Sequence, residues 1–400
     1  MSALRVGFAV LRFFDERTGN VESLLNLMTG LRERGVEGSL LVPRATAQLE
    51  MFKGFAVHRY SQRALFDADI FAVERALVHA SRELRTHFDL LQLQLPSPAF
   101  VRVAERARRA SGLPVVASFE SGYHTAPAVP WPAPGKTLLS LWARRLLNHR
   151  LHARLTRFAV DACVVASDYQ RYELESVGCR ARVHVIGNST VCERFEARAG
   201  SVGFGSGSSP RHELLPAGKR TIGYLGHFNF IKGVTHLLAA FQRLAAQRDD
   251  LHLLVVGSGR GNESDAVRAG VRALGSRASL VERTIDVPAL LPQLDVLALP
   301  YVASYGHQLF PNLVLEALAS GVPLVTSDIP PVNEIVREGE TGYLARAGDA
   351  ASLCAALERA LFGGETRVGL RERQQALCRA RFDYRVVAER HHQLYKGLLP

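Results

Sequence analysis

Cysteine is scarce and scattered in this 400-residue chain: Cys163, Cys179, Cys192, Cys354 and Cys378 make no CxxC pair and no Cys/His cluster. The spacing therefore offers no zinc site and no redox dithiol. An odd set of dispersed thiols in a long chain fits a reducing cytoplasm. Long apolar runs are missing as well. None approaches the roughly 18 residues that a spanning helix needs, so no membrane span is expected. A secretory pattern is not expected either, because Arg5, Arg12 and Asp15 bracket apolar runs that are too short. There is no P-loop, no nucleophile elbow with a Ser-His-Asp set and no internal repeat. With no ligand cluster in view, the chemistry is expected to be metal-independent. No nucleic-acid partner is expected.

What is present is ample apolar content, 47%, and a net charge of +11. The length favours two domains over one. The charge is concentrated between Val101 and Val160. There Arg102, Arg106, Arg108, Arg109, Lys136, Arg144, Arg145, Arg150, Arg154 and Arg157 face only Glu105 and Glu120. A basic face of this kind points to an anionic partner, or equally to a solvated Arg-rich surface.

Short β-rich runs alternate with longer amphipathic stretches. Strands are expected at Leu4–Val10, Ser39–Val42, Leu90–Gln94, Val115–Phe119, Ala162–Ala166 and Val183–Ile186. The pattern then restarts at Thr221–Leu225, Leu251–Val256, Ser279–Glu282, Val296–Leu299 and Pro323–Thr326. Helices are expected between them, for example at Val21–Arg34 and Val234–Gln247. Such alternation implies parallel sheets covered by helices on both faces. A Gly/Ser-rich stretch at 200–219 reads as a flexible linker. The chain therefore divides into residues 1–199, the linker, residues 220–381 and a last helix in 382–400, where Val387, His391, Leu394 and Tyr395 recur at helical spacing.

The most informative stretch runs from Gln308 to Gly321, QLFPNLVLEALASG. Pro311 suits the first turn of a helix, where its missing N–H is not needed. Gly321 suits a left-handed stop. Between them the residues are apolar on every side apart from Glu316, so the helix should be buried. A buried carboxylate needs donors around it. A ligand diol would supply them, and so would an arginine partner. The N–H groups of Asn312 and Leu313 open outward at an end that attracts anions. One short helix thus offers a phosphate seat and a hydroxyl acceptor, the chemistry of a nucleotide-sugar site.

Other turns sit beside strand ends. Gly226-His227 follows a strand, and Lys232 stands just before a helix, where it can reach a diphosphate or simply be solvated. Gly257 opens the turn GSGRG, an incomplete dinucleotide fingerprint that reads more simply as a tight strand-to-helix turn beside a ligand cleft. Gly19 lies in a turn before the helix at Val21, either meeting phosphate or forming an ordinary cap. Glu120 and His124 follow the strand Val115–Phe119, where they can serve as acid, base or hydroxyl contacts, or merely hydrogen-bond a loop.

Taken in order along the chain, the turn at Gly19, Val185-Ile186-Gly187-Asn188, Gly226…Lys232-Gly233, Gln308…Glu316 and the final Tyr395 helix resemble a known family. The chain is similar to the retaining, nucleotide-sugar-dependent glycosyltransferases of the GT-B fold, the group 1 or family 4-like enzymes. The resemblance implies an α/β protein of two Rossmann-like domains facing a cleft. The first would bind the acceptor, the second the donor, and the last helix would pack back toward the first. It implies that Lys232 contacts the donor diphosphate, that Glu316 holds the ribose hydroxyls, and that Asn312 and Leu313 give backbone contacts to sugar and phosphate. Gly19 would close over the diphosphate. Gly226, His227, Gly257, Gln308 and Phe310 would complete the donor site, with Glu120, His124, Lys232 and Gln308 nearest the chemistry. No cofactor beyond the UDP- or GDP-linked sugar donor is implied.

Three positions depart from the family pattern. Gln308 replaces the first acid of an acidic pair, His227 replaces an arginine, and Glu120 replaces a histidine. The reading is a cytoplasmic glycosyltransferase that moves a sugar to an acceptor hydroxyl with retention. The alternatives are a nucleotide-sugar epimerase or hydrolase of the same architecture, and a catalytically weak binding subunit. Residues 136–158 mix apolar and cationic faces at helical spacing. They suit either an anionic membrane, with a lipid-linked acceptor at its inner face, or packing on the first sheet.

Overall fold

The computed structural model describes residues 3–10, 19–42, 51–59, 70–95, 100–119, 160–176, 178–201, 212–257, 263–303, 311–364 and 366–399. Glu120, His124, Gln308, Phe310 and the stretch 136–158 lie outside the described residues.

The first half builds a sheet from β1 (Leu4–Val10), β2 (Val36–Val42), β3 (Met51–Phe52), β4 (Phe55–Arg59), β5 (Leu90–Leu95), β6 (Val115–Phe119), β7 (Ala162–Val165) and β8 (Arg182–Val185). Their order is β3-β4-β2-β1-β5-β6-β7-β8. Every pairing is parallel except β3 with β4. The central strands are buried nearly throughout, as expected where helices cover both faces. The covering helices are α1 (Gly19–Arg32), α2 (Ile70–Glu83), α3 (Val101–Ser111) and α4 (Asp168–Ser176).

The second half repeats the plan with β9 (Arg220–Leu225), β10 (Leu251–Val256), β11 (Ala278–Val281), β12 (Val296–Leu299), β13 (Leu324–Ser327) and β14 (Tyr343–Ala345). They lie in the order β11-β10-β9-β12-β13-β14, all parallel. Strand order reverses beside β9, and ligands of open parallel sheets bind beyond the carboxyl ends at such a point.

Helices cross the boundary between the halves. Helix α5 (Cys192–Ser201) sends Cys192 and Phe195 into the apolar core of the second sheet. The later helices are α6 (Val234–Ala245), α7 (Ser264–Ala273), α8 (Asn312–Ser320), α9 (Ala350–Phe362), α10 (Arg367–Arg381) and α11 (Tyr384–Lys396). Helix α11 returns to the first sheet and packs on α1. There Val387, Ala388, Leu394 and Tyr395 join the core, and the Tyr395 hydroxyl donates to Gln92 Oε1 at 2.5 Å.

The differences from the sequence reading are local. The hairpin β3–β4 and the edge strand β14 were not expected; β3 and β14, at two and three residues, are too short to show a period. Gly19 lies inside the first turn of α1 rather than in a turn before it. Pro311 is the N-cap of α8, with φ −65° and ψ 125°, one place before the first helical residue. The expected linker at 200–219 is not all free chain. Helix α5 reaches Ser201, and Leu215 is buried in the second core, because an apolar side chain here finds an apolar wall.

Candidate active site

The site is built where β9 and β12 end. Beyond β9, Gly226 takes φ 155°, and its N–H donates to Val256 O at 3.0 Å. The buried Tyr224 hydroxyl donates to His227 O at 2.8 Å, which fixes the next turn. Asn229 then caps a single helical turn, its side chain accepting from Lys232 N at 3.1 Å. Gly233 follows with φ 68°. A Cβ there would sit 1.9 Å from Pro300 O, so only glycine lets this turn lie against the end of β12. Val302 N donates to Ile231 O at 2.9 Å and ties the two loops together.

Lys232 emerges from this clamp. Its Nζ stands 4.8 Å from the Tyr301 ring centroid. Burial pushes its pKa down to about 8, since few groups nearby replace the water it has lost. The opposite wall is α8. Pro311 supplies no side-chain cap, so the amino end of the helix carries its partial positive charge to the pocket. One turn in, Glu316 has its pKa raised to about 7. Burial dominates, Arg194 pulls the value down and Glu22 pushes it up. Arg194 pairs with Glu22 at 3.8 Å. Among the described residues no arginine forms an ion pair with Glu316, and Arg194 acts on it only through its charge.

These groups line one pocket of about 280 Å³, walled by Tyr224, Leu225, Gly226, His227, Lys232, Leu299, Tyr301, Pro311, Asn312, Leu313 and Glu316. It gathers Gly226, His227, Lys232, Asn312, Leu313 and Glu316 from the expected set. Gly257 is not in its wall. It packs under the Phe228 ring, and a Cβ there would lie 2.3 Å from that ring. Gly19 opens α1, and Glu22 in the same turn acts on Glu316. Glu120, His124, Gln308 and Phe310 are outside the described residues.

Sequence reasoning missed Tyr224, Leu299 and Tyr301. A signal for Tyr301 existed, because it follows an expected strand at its carboxyl end. No local pattern marks Glu22 or Arg194. The first sheet also reaches the pocket wall directly: beyond β8, Asn188 Nδ2 donates to Asn312 Oδ1 at 2.9 Å.

A basic clamp, a helix amino end and a carboxylate around one cavity, at the carboxyl ends of the second sheet's strands, suit a phosphorylated, hydroxyl-bearing ligand. The comparisons agree on the family. Residues 18–194 match Glycosyltransferase Family 4, and residues 219–362 match Glycosyl transferases group 1. The chain belongs to the glycosyltransferases of the GT-B fold.

The phosphatidyl-myo-inositol mannosyltransferase of Mycobacterium leprae is 31% identical over 195 residues, 47% of this chain and 50% of that protein. The protein of that name from Mycolicibacterium smegmatis is 24% identical over 420 residues, 98% of this chain and 94% of that one. The chain thus spans about half the length of the first relative and nearly all of the second. The structure of sucrose-phosphate synthase from Thermosynechococcus elongatus superposes with a TM-score of 0.76 at 20% identity, covering 99% of both chains. At that identity the likeness speaks to the fold.

Proposed function

We propose that this protein transfers a glycosyl group from a nucleoside diphosphate sugar to an acceptor hydroxyl, with retention at the anomeric carbon. The observation that carries this reading is the pocket itself. Lys232, the amino end of α8 and Glu316 stand around one cavity, so cationic groups and a hydroxyl acceptor serve a single ligand. Phosphate would lie against Lys232 and the helix end, and the ribose diol would donate to Glu316.

In the proposed step the bond between the anomeric carbon and the phosphate oxygen breaks, and a bond to the acceptor oxygen forms on the same face. The acceptor proton passes to the departing phosphate oxygen. Lys232 and the helix end offset the charge that develops there, which makes a metal unnecessary. The donor is read as UDP- or GDP-linked.

The named activity of the mycobacterial relatives supports a lipid-linked acceptor. That reading places the enzyme in the cytoplasm, at the inner face of the membrane. No helix among the described residues is long and apolar enough to cross a membrane, so contact would be peripheral.

A thermal-shift screen against UDP, GDP and their sugars tests the donor, because a ligand that binds only the folded state raises the Tm. Anomeric NMR of the product then tests retention. Donor consumed without any glycosylated acceptor would favour an epimerase or hydrolase, and binding without turnover would favour a binding subunit. Co-sedimentation with anionic but not neutral vesicles, weakened by salt, tests the membrane reading.

A further inference from the structure

Two backbone N–H groups of the first sheet's α4 end on a carboxylate from the second half of the chain. Helix α4 starts directly beyond the carboxyl end of β7, and its local cap is nearly complete. Ser167 Oγ accepts from Gln170 N at 3.1 Å, Gln170 Oε1 accepts from Ala166 N at 2.7 Å, and Arg171 N donates to Ser167 O at 3.1 Å. The N–H groups of Asp168 and Tyr169 are left to other partners, as at any helix start. Both go to Glu334, at 2.9 Å to Oε2 and 2.7 Å to Oε1. A carboxylate held by two N–H groups at the positive end of a helix is a charge-assisted contact.

Glu334 is not a loose side chain. It sits in the loop that leaves β13, between Val332 and Ile335, which are 3% and 2% exposed. Thr341 Oγ1 donates to Ile335 O at 2.9 Å and fixes the loop from behind. This loop and α8 both flank β13, so Glu334 shares a rigid frame with the pocket. The Asn188–Asn312 hydrogen bond joins the same two halves at α8.

We infer that Glu334 is a positioning residue. It holds the carboxyl ends of the two sheets against each other while the glycosyl group is transferred. The inference rests on the proposed transferase activity. Among the described residues, every one in the pocket wall comes from the second half, so donor binding should survive loss of the bridge. With the acceptor bound by the first half, as the family resemblance implies, the chemical step does need it. The local cap bonds do not involve Glu334, so α4 should stay folded when the bridge is gone.

The test compares Glu334→Gln, Glu334→Ala and Glu334→Asp with the full-length protein. Four quantities are read: amide exchange at Asp168 and Tyr169, the radius of gyration in solution, the Kd for UDP and GDP, and kcat with the active nucleotide sugar. The Gln and Ala variants should exchange those two amides faster and scatter as more open particles. Their nucleotide Kd should stay within about twofold. Their kcat should fall on the order of ten- to a hundredfold, as expected for misplaced reactants. Asp should rescue part of the kcat. Unchanged exchange and radius overturn the inference. So does a Kd that weakens in step with kcat, which would mark general structural damage, or an unchanged kcat in an opened particle. Should Ala fail to fold, Gln alone decides, because it keeps the shape and removes the charge. If no nucleotide binds the wild type, the functional reading fails, while exchange and radius still decide whether Glu334 bridges the halves.

Discussion

The Nζ of Lys232 stands 4.8 Å from the centre of the Tyr301 ring, so the lysine of the pocket wall rests on an aromatic face. The ring supplies some compensation for lost water and no countercharge. A phosphate would supply that charge. Lys232→Ala should therefore weaken donor binding by about 1–3 kcal/mol, the range for leaving a buried partner unsatisfied. Tyr301→Phe, which keeps the ring, should leave it nearly unchanged. Calorimetric Kd values for the folded variants check both. Wild-type affinity in Lys232→Ala would remove the lysine from the site.

Donor affinity should be bell-shaped in pH and narrow. Glu316 loses its proton near about 7, so the carboxylate that accepts from a diol is present only above that value. Lys232 loses its proton near about 8, so the cation is present only below it. Binding should fade as pH drops through the first value and as it rises through the second. The Kd of a nucleotide sugar measured across both values checks this. Glu316→Gln should abolish the acid limb and Lys232→Ala the alkaline one.

The same carboxyl should cost stability when no ligand is bound. Its folded-state pKa is about 7, above its ordinary value of 4.5, so the folded state favours the protonated form. Stability is then greatest below the ordinary value and is lost as pH rises through about 7. Glu316→Gln should accordingly stabilise the ligand-free protein at pH above 7 by an amount on the order of 1–3 kcal/mol, and should have little effect in acid. Urea titrations on both sides of the transition check the sign. Turnover should fall in the same variant.

Gly233→Ala should be strongly destabilising, by at least about 2 kcal/mol, because the new methyl meets the Pro300 carbonyl at a left-handed backbone position. Since the turn also carries Lys232, donor affinity should drop in whatever fraction remains folded. A thermal melt together with a binding titration checks this.

Transfer should persist in EDTA, because Lys232 and the amino end of α8 meet the diphosphate charge. Loss of activity on chelation, restored by magnesium or manganese, would count against the proposed donor site.

Much of the frame was legible in the residues. Leu4–Val10, Val115–Phe119, Leu251–Val256 and Val296–Leu299 form strands with the bounds that their apolar runs suggest. Gly321 does end α8 with φ 71°. Such signals are local: a run of branched residues, a proline before a helix, a glycine after it. They also mark Glu316, because a lone charge in an apolar stretch is visible in one dimension, whereas Lys232 reads as a solvated side chain before a helix until the family resemblance is added.

The tertiary structure decided everything that depends on distant neighbours. A sequence states that Glu316 is apolar-flanked, but its proton affinity follows from burial and from Arg194 and Glu22, which lie far away along the chain. Tyr301 becomes part of the site only because Gly233 lets one turn lie against the end of β12. Glu334 looks like an ordinary surface acid until α4 presents two N–H groups to it. Helix and strand periods arise from bonds between near residues, so the chain announces them. Electrostatics and cross-cleft hydrogen bonds act through space, and folding alone sets those distances.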